Sequence, residues 1–338
     1  MSRGFLRAVG SGTATIMMSV YSQTVLAAET DQFLVWDVEL RDSAPALNTY
    51  LNQETERFLA EENALHGAEH SAALVTQDLY LYLFRSILDS RLRHFVMTAP
   101  DIDRYPPSTI SYPEHLEMSI YSAKSFPFIL PMARTIRIGD VYLGIDKLSH
   151  FFGFGRRYFK RYVRLREEGY PEDVAMEKTV EWGMWYERYL VGNLTDGIYS
   201  YADLEANFQG MMMARSFSEG PTPLLVRTGD KWTLARPIDI RDFVNPGFDE
   251  SYNCSRFMGT RRSQVMHVLE SEVCPKRTAP LVQARFERYQ KWKPSFSQQF
   301  VDRKLGEQGW TPHTDAVFDL WCASGKAEGL PESPRTTP

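Results

Sequence analysis

Five side chains at helical spacings carry the chemical potential of this sequence: Asp146, His150, Glu187, Asp203 and Asn207. At about 100° per residue, Asp146, His150, Gly153 and Arg157 line one helix face, apart from a broad apolar face of Phe151, Phe154, Tyr158, Tyr162 and Leu165. Asp146 stands one turn before His150, the i,i+4 spacing at which a carboxylate orients an imidazole. Taken alone, such a pair is more often exposed and worth little. Glu187 is different, because it projects with Met176, Val180 and Gly183, away from the solvent stripe of Glu177, Glu181 and Arg188. A carboxylate there is buried and needs a cation, a metal or hydrogen-bond donors. It is a candidate acid or base, and a structural hydrogen-bonded glutamate fits equally well. Ser200, Asp203, Asn207 and Gly210 follow at spacings of three and four. A loose capping box accounts for Ser200 and Asp203, but leaves Asn207 and a close-packing Gly210 without a reason.

Carboxylates and an imidazole in one pocket can hold a divalent metal that activates water, or act directly as acid and base. The candidate metal ligands are His150, Glu187 and Asp203, and Lys147, Arg157 and Ser200 are candidate substrate-binding groups. Arg156, Arg157, Lys160, Arg161, Arg164 and Arg166 crowd one helix, usually the mark of a solvated face and otherwise of contact with phosphate or anionic lipid. His66-Gly67-Ala68-Glu69-His70 matches the H-x-x-E-H pattern of inverted zinc proteases. Gly67 is a poor helix residue, and that reading needs a third ligand near His66 and His70. Met211-Met212-Met213 reads as core filler. There is no G-x-S-x-G elbow, no P-loop, and Gly153-Phe154-Gly155 lacks the third glycine of a dinucleotide fingerprint.

The elements that must position these groups are mainly helical. Helical patterns run over Pro45 to Leu65, Ala68 to Phe95, Asp146 to Glu168, Glu172 to Val191 and Tyr201 to Phe217, with shorter ones over Arg261 to Glu272 and Val282 to Trp292. Pro171 opens a helix, and Gly169 and Gly192 sit where helices stop. Phe33 to Leu40 suits a short strand, and Thr135 to Leu143 a hairpin turning at Gly139-Asp140. A stretch with Pro100, Pro106, Pro107 and Pro113 breaks the helices. The expected class is a mainly α helical bundle with a small β-hairpin and an irregular, cysteine-containing C-terminal segment. Three adjacent antiparallel helices would bring the five polar groups together.

The chain of 338 residues begins with Arg3 and Arg7, then runs without charge from Ala8 to Ala28. A basic start, an apolar middle and small residues before Glu29 read as a secretory signal over residues 1–28, and the Ser and Thr in that run make it too polar for an anchor. The organisation is a helical domain over 29–217, an extension over 218–330 packed on it, and a disordered tail over 331–338. No other run is apolar enough to span a membrane, so an exported, periplasmic or peripheral protein is expected. A net charge of -5 offers no general attraction to nucleic acid. Of the three cysteines, Cys254 and Cys274 are the preferred disulfide for an oxidising compartment.

Asp146-Lys147-Leu148-Ser149-His150, then Glu187, then the run from Ser200 to Gly210 resembles the VanZ-like group of bacterial envelope proteins in its D-K-x-x-H start, later helical Glu and S-x-x-D-L-x-A-N-x-x-G helix. The likeness covers Asp146 to Gly210, under a quarter of the chain. It departs where VanZ-like helices span the membrane, because the basic run Arg156 to Arg166 could not. The chain also resembles a family of uncharacterised exported bacterial proteins sharing G-x-D-K-L-x-H-F-F, here Gly144 to Phe152, and Y-S-Y-A-D-L-E-A-N, here Tyr199 to Asn207. The resemblance implies one pocket holding Asp146, His150, Glu187, Asp203 and Asn207.

Two functions then compete: a hydrolase acting on an envelope lipid or glycan, with His150 as base or ligand, and a non-enzymatic envelope protein in which the same groups form a buried network and the basic face meets lipid or a partner protein. Geometry separates them. Catalysis needs the groups around an open concavity, whereas a network is closed and fully paired.

Overall fold

The computed structural model describes residues 28–67, 69–86, 88–122, 132–191, 197–257 and 259–309. The expected signal, apart from residue 28, and the expected tail lie outside these residues. The described chain is mainly helical, with small two-stranded sheets between the helices. No described helix is long and apolar enough to cross a membrane.

Helix α1 (Ala44–His66) opens on Pro45 in its first turn, and its buried face carries Leu47, Leu51, Phe58 and Leu59. The single helix expected over Ala68 to Phe95 is two helices, α2 (Ala72–Leu83) and α3 (Arg91–Thr98). Ser71 and Ser90 each accept a hydrogen bond from the amide three residues on, so the second serine starts a new helix. The Pro-rich crossing contains only the short α4 (Tyr112–Met118), held by a capping box between Ser111 and Glu114.

The strand expected over Phe33 to Leu40 is replaced by a 3₁₀ turn, Gln32–Val35. The buried Asp31 carboxylate accepts from the amides of Phe33 (2.9 Å) and Ile120 (2.7 Å), which curls the chain where an extended run was expected. A two-residue strand precedes it, β1 (Glu29–Thr30), paired in parallel with β2 (Met132–Ala133). The expected hairpin is present as β3 (Thr135–Ile138) and β4 (Val141–Gly144), and Gly139 supplies the positive φ its turn requires.

The hairpin feeds directly into α5 (Ile145–Ser149), a π-helical segment (His150–Phe154) and α6 (Gly155–Glu167). Helix α7 (Glu172–Tyr186) follows, extended by a second π-helical segment (Glu187–Val191). After β5 (Ile198–Tyr199) comes α8 (Tyr201–Ser218), the most buried helix, with Met211, Met213 and Phe217 fully inside. The Met row is therefore core packing, as its composition suggests.

Two glycines let α6 and α8 touch backbone to backbone. A Cβ on Gly210 would overlap the carbonyl of Phe151, and one on Gly155 would run into the backbone of Gly210. The Gly210 carbonyl also accepts from the buried Tyr80 hydroxyl of α2 at 2.8 Å. Three helices thus converge at one point where no side chain fits.

Past α8, the hairpin β6 (Leu225–Thr228) and β7 (Lys231–Leu234) lies against α1. The strand β8 (Arg256–Phe257) pairs with β5, and α9 (Gly259–Val268), α10 (Pro280–Tyr289) and α11 (Phe296–Glu307) complete the described fold. Helix α11 was not foreseen; Ser295 caps it and Phe300, Val301 and Leu305 bury it. Arg285 of α10 is buried, with its guanidinium over the Tyr142 ring and one nitrogen donating to the Val35 carbonyl at 2.7 Å. It ties the C-terminal helices to the N-terminal turn. The expected Cys254–Cys274 bridge is not formed: Cys254 is a free, buried thiol. Cys254 faces inward and reaches the Ser251 carbonyl, so it is not available to Cys274.

The contact at Gly210 yields a direct test. Gly210→Ala should lower stability by about 3 kcal/mol, the upper range for overpacking, read from the midpoint of urea unfolding. A cost below about 0.5 kcal/mol would show that the helices can part at no expense.

Candidate functional site

Because β4 runs straight into α5, the first turn of that helix carries Asp146 and Lys147 into the interior. Gly144, just before, leaves room for the Asp146 carboxylate and the Thr30 side chain, both of which a Cβ would strike. Lys147 has no exposed surface. Its Nζ lies 2.7 Å from Asp146 Oδ2, 2.6 Å from Asp203 Oδ1 and 2.7 Å from Glu250 Oε1. The second oxygen of Asp146 accepts a hydrogen bond from Thr30. One ammonium therefore joins α5, α8, the segment before β8 and, through Asp146, β1.

His150 opens the π-helical segment, where the extra residue per turn departs from the regular wheel. It is not on an exposed face but buried, 6% accessible. Its Nε2 is 3.2 Å from Asp203 Oδ2, and its Nδ1 is 3.2 Å from Asn207 Oδ1. Asp146, expected to orient this ring, instead holds Lys147 and Thr30. Asp203 takes the orienting role, from a different helix. Both ring nitrogens thus face side-chain oxygens of α8. The ring stacks on Phe154 at 5.3 Å between centroids, and the Arg157 guanidinium lies over the other ring at 4.8 Å.

Arg157 itself is exposed, donates to the Tyr186 hydroxyl at 3.3 Å, and does not enter the network. Ser200 caps α8: its hydroxyl accepts from the Asp203 amide (3.1 Å) and donates to Glu250 Oε1 (3.0 Å). The capping expected of Ser200 is present, its hydroxyl is turned to Glu250, and the Asp203 carboxylate faces Lys147. Glu187 is buried as its helix face requires, and its Oε1 accepts from the Ser200 amide at 3.2 Å. It supports the start of α8 from behind. Asn207 is flanked by the buried Tyr158 hydroxyl, which occupies the space left by Gly183.

Sequence reasoning missed Glu250 and Thr30. Both lie in segments without periodicity, so neither has a helix face that could mark it as inward. Glu250 follows another buried acid, Asp249, which accepts from the hydroxyls of Ser251 (2.6 Å) and Tyr289 (3.1 Å). Two adjacent acids in an irregular segment rich in Asn, Tyr and Ser were the available signal.

The electrostatics follow from burial. Burial opposes a charge on Lys147, yet Asp146, Asp203 and Glu250 hold its ammonium well above the usual lysine range. Burial would raise Asp203, but His150 and Lys147 keep it below the usual carboxylate range. Glu250 goes the other way: burial, with Asp146 and Asp203 beside it, pushes it up to about 8 despite Lys147. The ammonium thus sits among carboxyls pushed in opposite directions, Asp203 down and Glu250 up.

A divalent metal does not fit this cluster as it stands. Asp146, Asp203 and Glu250 do bring three oxygens within 4.8 Å of one another, but the Lys147 ammonium already occupies the point they share. His150, Glu187 and Asp203, the expected ligand set, make no such group among the described residues. No family model, curated protein or solved structure matches the chain.

Glu250 predicts a pH dependence. Its folded pKa of about 8 lies above its ordinary 4.5, so the favourable contribution is complete below 4.5 and is lost as pH rises toward 8. Glu250→Gln keeps an acceptor for Lys147 and Ser200 and removes the titration. Its melting temperature relative to wild type should therefore climb between pH 5 and pH 9, by roughly 2–4 °C per kcal/mol. A constant difference across that range would mean that Glu250 does not titrate in the fold.

Proposed function

We propose that this is an exported envelope protein that acts by binding, and that the Lys147 network is architectural. The observation that carries this reading is closure: Asp146, Lys147 and His150 on one run of helix and Asp203 and Asn207 on α8 are buried and paired across the helix contact. Neither ring nitrogen of His150 is left for a substrate. The likeness to VanZ-like envelope proteins and the signal-like start support the location. The working surface in this reading is the outer side of α6, where Arg157, Lys160, Arg164 and Arg166 are exposed. A row of exposed lysine and arginine suits the head-group layer of an anionic membrane.

A second reading is favoured by one atom. Glu250 Oε2 is buried and has no hydrogen-bond partner, and its carboxyl is pushed up to about 8. A protonated acid linked through Lys147 and Asp203 to an imidazole could equip a hydrolase, with Glu250 as acid and the His150–Asp203 pair supplying the base once a substrate displaces Asn207. Such a site would need Phe154 and Arg157 to move aside.

Two measurements separate these readings. Lys147→Met should cost about 3–5 kcal/mol in urea unfolding, because it leaves buried carboxylates without their cation. His150→Ala should stay folded and leave turnover of chromogenic esters and glycosides at the wild-type background; hydrolysis by wild type that this variant abolishes would establish the enzyme. For the surface, co-sedimentation with anionic phosphatidylglycerol vesicles should exceed that with neutral phosphatidylcholine, weaken with salt, and fall at least fivefold in Lys160→Glu/Arg164→Glu. Equal binding to both vesicles would sink the lipid contact.

A further inference from the structure

The His66/His70 motif does not form the helix that an inverted zinc protease needs. Helix α1 ends at His66, and Gly67, at φ 57°, turns the chain away. Glu69 is exposed and takes no part. What the turn does instead is bring His70 back over the last turn of α1. His70 Nδ1 lies 2.6 Å from Glu62 Oε1, and the His66 and His70 rings stack at 4.2 Å between centroids. Glu62 and His66 are i,i+4 neighbours, so all three side chains face one spot. One ligand atom from each lies within 4.8 Å of the others.

We propose that Glu62, His66 and His70 form a binding site for a divalent transition ion, zinc being the best match to two imidazoles and a carboxylate. Ligands at 2.0–2.2 Å from a shared ion stand about 3–3.6 Å apart, so the trio needs only small side-chain rotations to close on it. The ion would replace the His70–Glu62 hydrogen bond. Glu62 is buried while both histidines are partly exposed, which leaves a way in from solvent and coordination positions for water. The surroundings are prearranged: the Trp232 indole donates to the His70 carbonyl at 3.1 Å, and Asn63 makes two 2.8 Å hydrogen bonds with the Trp232 backbone. These contacts fix the ligand loop against β7. Asp78 of α2 adds a further negative group, its carboxyl raised by partial burial and by Glu62. The three ligands are neutral imidazole, neutral imidazole and carboxylate, a softer and less hydrated set than the all-oxygen shells magnesium and calcium require.

The site is independent of the Lys147 network and of the reading given to it. It predicts that a bound ion staples the end of α1 to the loop leading into α2, and through Trp232 to the β6–β7 hairpin.

The test uses the full chain without a histidine tag, stripped with chelator and titrated with cobalt(II) while the visible spectrum is recorded. One equivalent should produce a saturable d–d absorption that one equivalent of zinc removes and a hundredfold excess of magnesium does not. His66→Ala, His70→Ala and Glu62→Gln should each weaken binding at least tenfold, whereas His94→Ala, on the exposed side of α3, should not. Zinc should also raise the melting temperature of wild type and not that of the three variants. Should an alanine variant fail to fold, His70→Gln, judged by circular dichroism, replaces it. The absence of saturable cobalt binding in wild type, or undiminished binding in folded His66 and His70 variants, overturns the site.

Discussion

Everything around the centre of this protein depends on keeping one ammonium charged in the absence of water. A lysine with no exposed surface would lose its proton if left alone, because burial costs several kcal/mol per ion. Lys147 keeps it by standing within 2.7 Å of oxygens from Asp146, Asp203 and Glu250. Three carboxyls around one cation would themselves be too negative, and the imbalance is relieved at Glu250, whose carboxyl is pushed up to about 8 by burial and by Asp146 and Asp203. The arrangement is selective for its geometry. Asp203 and Glu250 arrive from stretches of chain remote from Lys147, so the carboxyls meet the ammonium only when those stretches are in register.

The helical irregularities serve that register. The π-helical turn at His150 points its ring inward at Asp203 and Asn207 while the following residues of α6 still present Tyr158, Phe159 and Tyr162 to the core. The glycines at 155, 183 and 210 then set how near the helices come. Gly183 admits the Tyr158 hydroxyl, and Gly155 with Gly210 brings two backbones together. Were either spacing larger, Asn207 would withdraw from the imidazole. Backbone irregularity and missing side chains thus do for position what the ion pairs do for charge.

Much of this was legible from the sequence, and what was not has identifiable causes. Long amphipathic patterns marked α1, α6, α7 and α8, since period and length reinforce each other there. Glu187 was readable as buried because its neighbours at three, four and seven residues are apolar or small. The orientation of His150 was not, because a wheel assumes 100° at every residue and the π-helical segment violates that assumption at the residue of interest. The burial of Lys147 is not legible, since a lysine is almost never fully buried and two of its partners, Asp203 and Glu250, lie on elements whose packing no local pattern encodes. Glu250 was invisible for the same reason, and the strand expected at Phe33 gave way to a side-chain cap from Asp31 that propensity does not count. The cysteine pairing failed because proximity in sequence says little about which thiol is turned into the core.

Glu250 also has a place in time. A ribosome makes Asp146, Lys147, His150, Asp203 and Asn207 well before it reaches residue 250, so the nascent helices carry their ammonium and its first two carboxylates while the third is still missing. During that interval the ammonium has an open side that only water can satisfy, and the helices around it cannot finish excluding solvent. The last charged partner to be synthesised is also the one that arrives able to hold a proton, so it completes the shell without adding a further negative charge. The interior is in this sense sealed from the C-terminal side, and the helical half of the chain is not a finished object without the segment that follows it.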